Sequence, residues 1–351
     1  MQNFESSKPI LLDVPFSEFE VLLKDLDLPK YKLKQIYKWL IKGAAFSEMS
    51  DLPKDLRIKL AEQYVDLPVR IEKEFVSEDG TIKFLYRLTD GQLIEGVLMR
   101  YKYGNTLCVS TQVGCRMGCS FCASTLGGLI RNLSAGEILG QVIAVNHRLG
   151  GDIDERKVTN LVLMGSGEPL DNYTEVVRFL RQANAEDGLH ISFRNISLST
   201  CGLIEGIKKL QREQLPINLT VSLHSAIQSK RERLMPIAKA NPLPDLKEAL
   251  KSYFNQTRRR IYFEYTLVEG ENDSHEDALK LSYFVKNLSS HVNLIRLNPV
   301  KESHCKASCN TQRFLKDLTS LGVSATVRRQ MGVDIEGACG QLRRRYLEDQ
   351  L

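Results

Sequence analysis

No apolar run in this sequence is long enough to cross a membrane; the longest, such as residues 161–164, are short. The opening residues, Met1-Gln2-Asn3-Phe4-Glu5, hold neither a basic stretch nor an apolar one, so no secretory signal is visible. Low-complexity tracts and short-period repeats are missing as well, and solenoids and tandem arrays fall away with them. The eight cysteines come without secretion or dense pairing. That usage fits a reducing cytoplasm, where thiols serve as metal ligands or catalysts. Net charge is only +5, but arginines gather at Arg258-Arg259-Arg260, Arg328-Arg329 and Arg343-Arg344-Arg345. Such clusters permit phosphate contacts without proving them.

What is present is material for an α/β protein. At 351 residues the chain exceeds one ordinary domain but suits one large barrel with an extension. Residues 1–75 read as a helical accessory domain: Phe16, Phe19, Leu22 and Leu23 carry helical spacing, as do Ile36, Trp39 and Leu40. Pro29 separates those two runs, and Pro53 precedes a third at 56–64. From about residue 70 to 103 the period changes to two, and residues 76–105 are assigned to a β extension. Strand-like runs then fall at 107–113, 158–164, 196–199, 218–223, 261–268, 292–297 and 323–327. Helical runs between them include 135–146, 246–255 and 275–286, the second with Asp245 and Glu248 as a capping pair. Unbroken strand–helix alternation predicts a parallel sheet covered by helices, most economically a partial (β/α)6 barrel over residues 106–351.

The residues with chemistry cluster at predicted strand ends. Cys115, Cys119 and Cys122 form a C-x3-C-x2-C loop with Gly114 and Gly118 beside it. Soft thiolates select zinc or iron–sulfur clusters, and three of them on a four-iron cluster leave one iron open. A zinc knuckle borrowing a distant ligand is the bland alternative, since no fourth Cys or His follows at finger-like spacing. Later strands end in Gly165-Ser166-Gly167-Glu168-Pro169, Ser199-Thr200-Cys201-Gly202, Ser222-Leu223-His224-Ser225 and Asn298-Pro299. Five such ends on the C-terminal rim of one barrel suggest a site. S-adenosylmethionine could chelate an open iron there, with Glu168 accepting from its amino group and Ser199, Ser222 and Asn298 on its carboxylate or ribose. His224 has a competing role as a structural histidine with a fixed tautomer. Glu95 interrupts an apolar strand and, by itself, reads as a solvent-facing sheet residue. Cys305, Cys309 and His304 read as an incidental group, and Cys201 as a small packed residue.

Longer strings carry a resemblance. Gln112-Val113-Gly114-Cys115, Phe121-Cys122-Ala123-Ser124-Thr125, the run MGSGEP at 164–169, Ser222-Leu223-His224 and Ala338-Cys339-Gly340-Gln341-Leu342 together resemble the RlmN/Cfr family of radical S-adenosylmethionine RNA methyltransferases. The resemblance spans nearly the whole chain. It implies that Cys115, Cys119 and Cys122 bind a four-iron, four-sulfur cluster. Gly167, Glu168, Ser199, Ser222, Leu223, His224 and Asn298 would bind S-adenosylmethionine. Cys339 matches the cysteine methylated by one S-adenosylmethionine, Glu95 a proton acceptor, and Cys108 the thiol that helps to release product as a disulfide with Cys339. The implied substrate is carbon 2 of an adenosine in 23S ribosomal RNA, with transfer RNA as a second substrate. The implied reductant is an electron donor such as flavodoxin or ferredoxin, and the implied enzyme is a cytoplasmic monomer with no membrane partner. Carbon 8 methylation is the neighbouring activity, and an iron–sulfur RNA-binding protein without turnover is the alternative from another class.

Overall fold

The computed structural model describes residues 8–342, so the basic run Arg343-Arg344-Arg345 lies outside the described residues. Alternating sequence after the helical segment forms an antiparallel meander of β1 (Val69–Val76), β2 (Ile82–Leu88) and β3 (Leu93–Tyr101). β1 therefore starts within the residues assigned to the helical domain. Pro68 breaks the chain there, and the period-two pattern takes over at once. β4 (Gly104–Cys108) pairs antiparallel with β3 on one side and parallel with β7 (Val158–Leu163) on the other. It is the hinge between the extension and the barrel.

Seven parallel strands follow one another across the sheet: β4, β7, β8 (Ile196–Thr200), β9 (Asn218–Ser222), β10 (Ile261–Leu267), β11 (Ser290–Arg296) and the short β12 (Ala325–Val327). Thr106 of β4 and Thr326 of β12 lie far apart in that order yet line one lumen, so the sheet curls into a partial barrel. The expected run at 107–113 is in fact two strands. β4 ends at Cys108, and β5 (Gln112–Gly114) pairs instead with β6 (Leu129–Asn132) to bracket the cysteine loop.

Helices at Ala135–Arg148, Tyr173–Asn184, Ile204–Glu213, Leu243–Thr257, His275–Val285 and Thr311–Ser320 alternate with the strands. Ser134 caps the first of these, accepting from the Glu137 amide while Glu137 reaches back to the Ser134 amide. The pair Asp245 and Glu248 does not cap the fourth, which begins at Leu243 behind Pro242. Proline supplies the fixed φ of a helix entry without any side-chain acceptor, so the helix starts earlier than the capping pair suggested.

In the helical segment, Lys30–Ile41 and Lys54–Gln63 follow Pro29 and Pro53 directly. Phe19 and Tyr37 meet edge to face at 5.1 Å in its core. The segment docks through Asp13, which accepts from the Gly136 amide at 3.0 Å, and through Leu12, whose carbonyl accepts from Gln182 at 3.0 Å. A Cβ at Gly136 would lie 2.8 Å from the Leu12 carbonyl carbon, so only glycine permits this approach. No helix among the described residues is long and apolar enough to cross a membrane.

Candidate active site

The cysteine loop is pinned before it is functional. Gly114 has φ +81°, and a Cβ there would sit 2.0 Å from the Gly128 carbonyl oxygen that receives the Cys115 amide. The Thr125 hydroxyl donates to the Cys122 carbonyl at 3.0 Å, and the Ser120 amide donates to Leu234. Cys115, Cys119 and Cys122 consequently line one cavity of about 160 Å3 at the C-terminal ends of the strands. Burial pushes the Cys115 thiol up to about 12. Burial, and then the charges of Cys122 and Cys115, raise Cys119 as well. Three buried soft donors lining one cavity suit a metal centre, whose charge would hold them deprotonated. Zinc would need its donors gathered on a single ion. Among the described residues no group of three or more Cys, His, Asp or Glu side chains is placed to hold one. Soft thiol donors of this kind suit an iron–sulfur cluster, which Cys115, Cys119 and Cys122 would hold.

Gly167, Glu168, Ser199, Ser222, His224 and Asn298 line the same cavity. Gly167, at φ +108°, passes so close to Gln112 that a Cβ would meet the Gln112 Cβ at 2.6 Å. Glu168 is buried and raised by that burial, although the Cys201 and Leu170 amides donate to it at 2.7 and 2.9 Å. The Ser199 and Ser222 hydroxyls face each other at 3.4 Å across β8 and β9. His224 has φ +56°, and its Nδ1 accepts from the Thr266 amide at 3.0 Å. The ring is therefore the Nε2–H tautomer, and burial followed by the Arg231 charge depresses it to about 3. It is both things at once, a tautomer-locked histidine and a wall of the cavity.

Two expected contacts are different. Leu223 does not line the cavity; its side chain is fully buried in the core, while its amide donates to Glu264 and its carbonyl accepts from Arg231. Asn298 lines the cavity, but its amide donates to the Cys339 carbonyl at 3.0 Å and its oxygen accepts from Gln330 at 2.9 Å. It ties down the segment that carries Cys339.

That segment forms a partition. Cys339 lines the cavity of the three cysteines and also a second, smaller chamber with Val97, Met99, Cys108 and Arg328. Cys108 lies opposite Val97 in the β3–β4 register and is pushed up to about 12, first by burial and then by Cys339. Glu95 stands two residues before Val97 on the same face of β3, but it does not line the chamber. It is buried, not solvent-facing, and ion-paired with Lys83 at 3.2 Å.

Two arginines here carry no motif. Arg231 is fully buried and donates to the carbonyls of Leu223, Asn241 and Cys201, fastening three rim loops. Arg328 pairs with Glu264 at 3.7 Å and is held charged, first by its nearness to Cys339 and then by Glu264. The arginine pair at 328–329 was visible in the sequence as a basic cluster, but its inward half was not. Cys201 is buried beside the cysteine loop, as its small size suggested, and Cys305 approaches Ser120 at 3.6 Å while Cys309 is exposed.

A partial barrel with three thiols at its C-terminal rim defines a radical S-adenosylmethionine protein, and the Radical SAM superfamily model matches residues 109–282. A second model, the ribosomal RNA large subunit methyltransferase N-terminal domain, matches residues 10–65. The chain is 48% identical over 344 residues to a probable dual-specificity RNA methyltransferase RlmN of Alkaliphilus metalliredigens, covering 97% of this chain and 96% of that one. A protein of Clostridium botulinum with the same name is 48% identical over 345 residues, covering 97% and 98%. The crystal structure of a radical SAM methyltransferase from Sphaerobacter thermophilus superposes with a TM-score of 0.91 at 41% identity, over 95% of this chain and 99% of that one. The chain belongs to the RlmN family of radical S-adenosylmethionine RNA methyltransferases.

Proposed function

We propose that this enzyme methylates carbon 2 of an adenosine, in 23S ribosomal RNA and in transfer RNA, by way of a methyl group carried on Cys339. The observation that carries the reading is the position of Cys339, a partition thiol that faces the three-cysteine cavity on one side and Cys108 on the other. The names borne by the relatives, dual-specificity RNA methyltransferase, support the two classes of RNA.

Carbon 2 of adenine is not nucleophilic, so a methyl group cannot pass to it from a sulfonium by simple displacement. A thiolate is a good nucleophile, and Cys339 would take the methyl group first. When bound, the iron–sulfur centre on Cys115, Cys119 and Cys122 and the S-adenosylmethionine at Glu168, Ser199, Ser222 and His224 supply the radical chemistry that activates this methyl group. The protein then has three tasks. Cys339 holds the adenine covalently through its methylene carbon. Glu95 would take the ring proton, with Lys83 balancing the carboxylate charge. Cys108 would give up its thiol proton and attack the Cys339 sulfur, so that a new S–S bond forms as the C–S bond breaks. The departing methylene carbon, keeping the bonding pair, would take up a proton to leave as a methyl group on the product. An external reductant must reopen that disulfide.

Mapping modified adenosines in RNA from cells with and without the protein tests the proposal. The expected result is loss of 2-methyladenosine at defined positions. A missing carbon 8 mark would overturn the regiochemistry, and no missing mark would overturn the activity. In purified enzyme Cys339→Ala should abolish methylation while the iron content stays at the wild-type level.

A further inference from the structure

The Tyr101–Tyr103 pair stands outside every role assigned so far. β3 ends at Tyr101, and the chain turns through Lys102 and Tyr103 into β4. The two rings stack at 4.9 Å with only 7° between their planes. Tyr101 covers one face of Tyr103, and Tyr103 is 72% exposed, so its other face meets solvent. A scattered exposed tyrosine needs no explanation. This one is backed by a second ring and borders the barrel lumen, a cavity of about 400 Å3.

The surroundings indicate what such a ring would meet. Arg328 and the exposed Arg329 line the same lumen across from the tyrosines. Met99, Tyr101, Met164, Arg328 and Arg329 border both this lumen and the chamber of Cys108 and Cys339. A flat aromatic surface beside cationic side chains, continuous with the place where an RNA base would react, has the composition of a single-stranded nucleic-acid platform. Stacking needs only a π-face, and the arginines suit the phosphate next to it. Entropy favours the arrangement too, since the ring already stacks on Tyr101 before any base arrives.

We propose that the Tyr101–Tyr103 pair is a stacking platform for an unpaired RNA base flanking the target adenosine, with Arg329 on the adjoining phosphate. This rests on the reading of the chamber as the place of RNA methylation. The platform would hold the strand unstacked while the target base occupies the chamber.

The test is equilibrium binding of a fluorescein-labelled RNA stem–loop, with an adenosine flanked by unpaired pyrimidines in its loop, to the full chain. Tyr103→Ala should weaken binding by about 5- to 150-fold, the range of one lost base–aromatic stack. Tyr103→Phe and Tyr103→Trp, which keep a ring, should bind within about twofold of wild type. Arg329→Gln should reduce the slope of log affinity against log salt by about 0.7, one single-strand phosphate contact. Tyr103→Ala binding as tightly as wild type would overturn the platform, as would equal losses in the Ala and Trp variants. Failure of the wild-type protein itself to bind the RNA would strike the underlying functional reading instead.

Discussion

His224 keeps its place in the cavity by remaining uncharged. Its Nδ1 is spent on the Thr266 amide and its folded value lies near 3, below the ordinary 6.5. The unfolded chain therefore binds a proton that the folded chain refuses, so this contribution to stability is complete above pH 6.5 and is lost as pH falls toward 3. One such group removes about 2 kcal/mol between pH 7 and pH 5. His224→Asn should flatten the acid limb by that amount, read as the change in urea midpoint between the two pH values. Cys108 provides a second residue-level test. If it releases product, Cys108→Ala should accumulate a covalent protein–RNA adduct, seen as an RNA-dependent shift on a denaturing gel. Free, unmodified RNA as the sole outcome would remove Cys108 from that role.

Among the elements, the loop between β5 and β6 is the most sharply determined. Gly114→Ala sets a Cβ against the Gly128 carbonyl in a conformation that L-residues avoid, and the loop must move. Iron and sulfide per chain, measured after reconstitution, should fall to less than half of wild type. Cys115, Cys119 and Cys122 were legible in the sequence because their donors are local, and the strand ends because period and turn residues mark them. Glu168, Ser199, Ser222 and His224 came together on that basis. What escaped was non-local. Leu223 sits inside a string that resembles a ligand site; just past the end of β9, its side chain lies in the core while its neighbours Ser222 and His224 face the cavity. Glu95 looked like a surface acid because its partner Lys83 lies on another strand. Arg231 has no motif at all, since its three acceptors are backbone carbonyls from separate loops. The period-two pattern from about residue 70 already marked β1, although the domain boundary was drawn at residue 75.

At the scale of the whole molecule, the β extension serves as a mooring for the segment of Cys339. In the turn between β1 and β2, Ser77 donates to Asp334 at 2.5 Å and the Glu78 amide donates to the same carboxylate at 3.2 Å. Asp79 accepts from the Gly332 amide at 3.0 Å, and Lys83 reaches the Glu336 carbonyl. The Ser77 hydroxyl, foremost, holds Asp334 below the usual carboxylate range, so this tie is present at neutral pH and is lost as pH falls through that lowered value. Asp334→Ala should raise hydrogen exchange across residues 331–342 and lower methylation at least tenfold, with iron content unchanged. Unaltered exchange in that segment would show that the turn does not hold it.

The Ser77–Asp334 contact joins residues 257 positions apart. Closing so long a span contributes little to folding until most of the barrel between them already exists. Part of the cysteine loop, by contrast, is fixed locally, the Cys115 amide by Gly128 and the Cys122 carbonyl by Thr125, while Ser120 reaches Leu234 and Ala123 reaches Gly340. Assembly order follows from that difference. The thiols for the metal centre can be arranged while the wall bearing Cys339 is still undocked, leaving an open side through which iron and sulfide could arrive. Docking of the last wall then encloses the chamber of Cys108 and Cys339, so a molecule whose barrel is incomplete has those two thiols open to solvent.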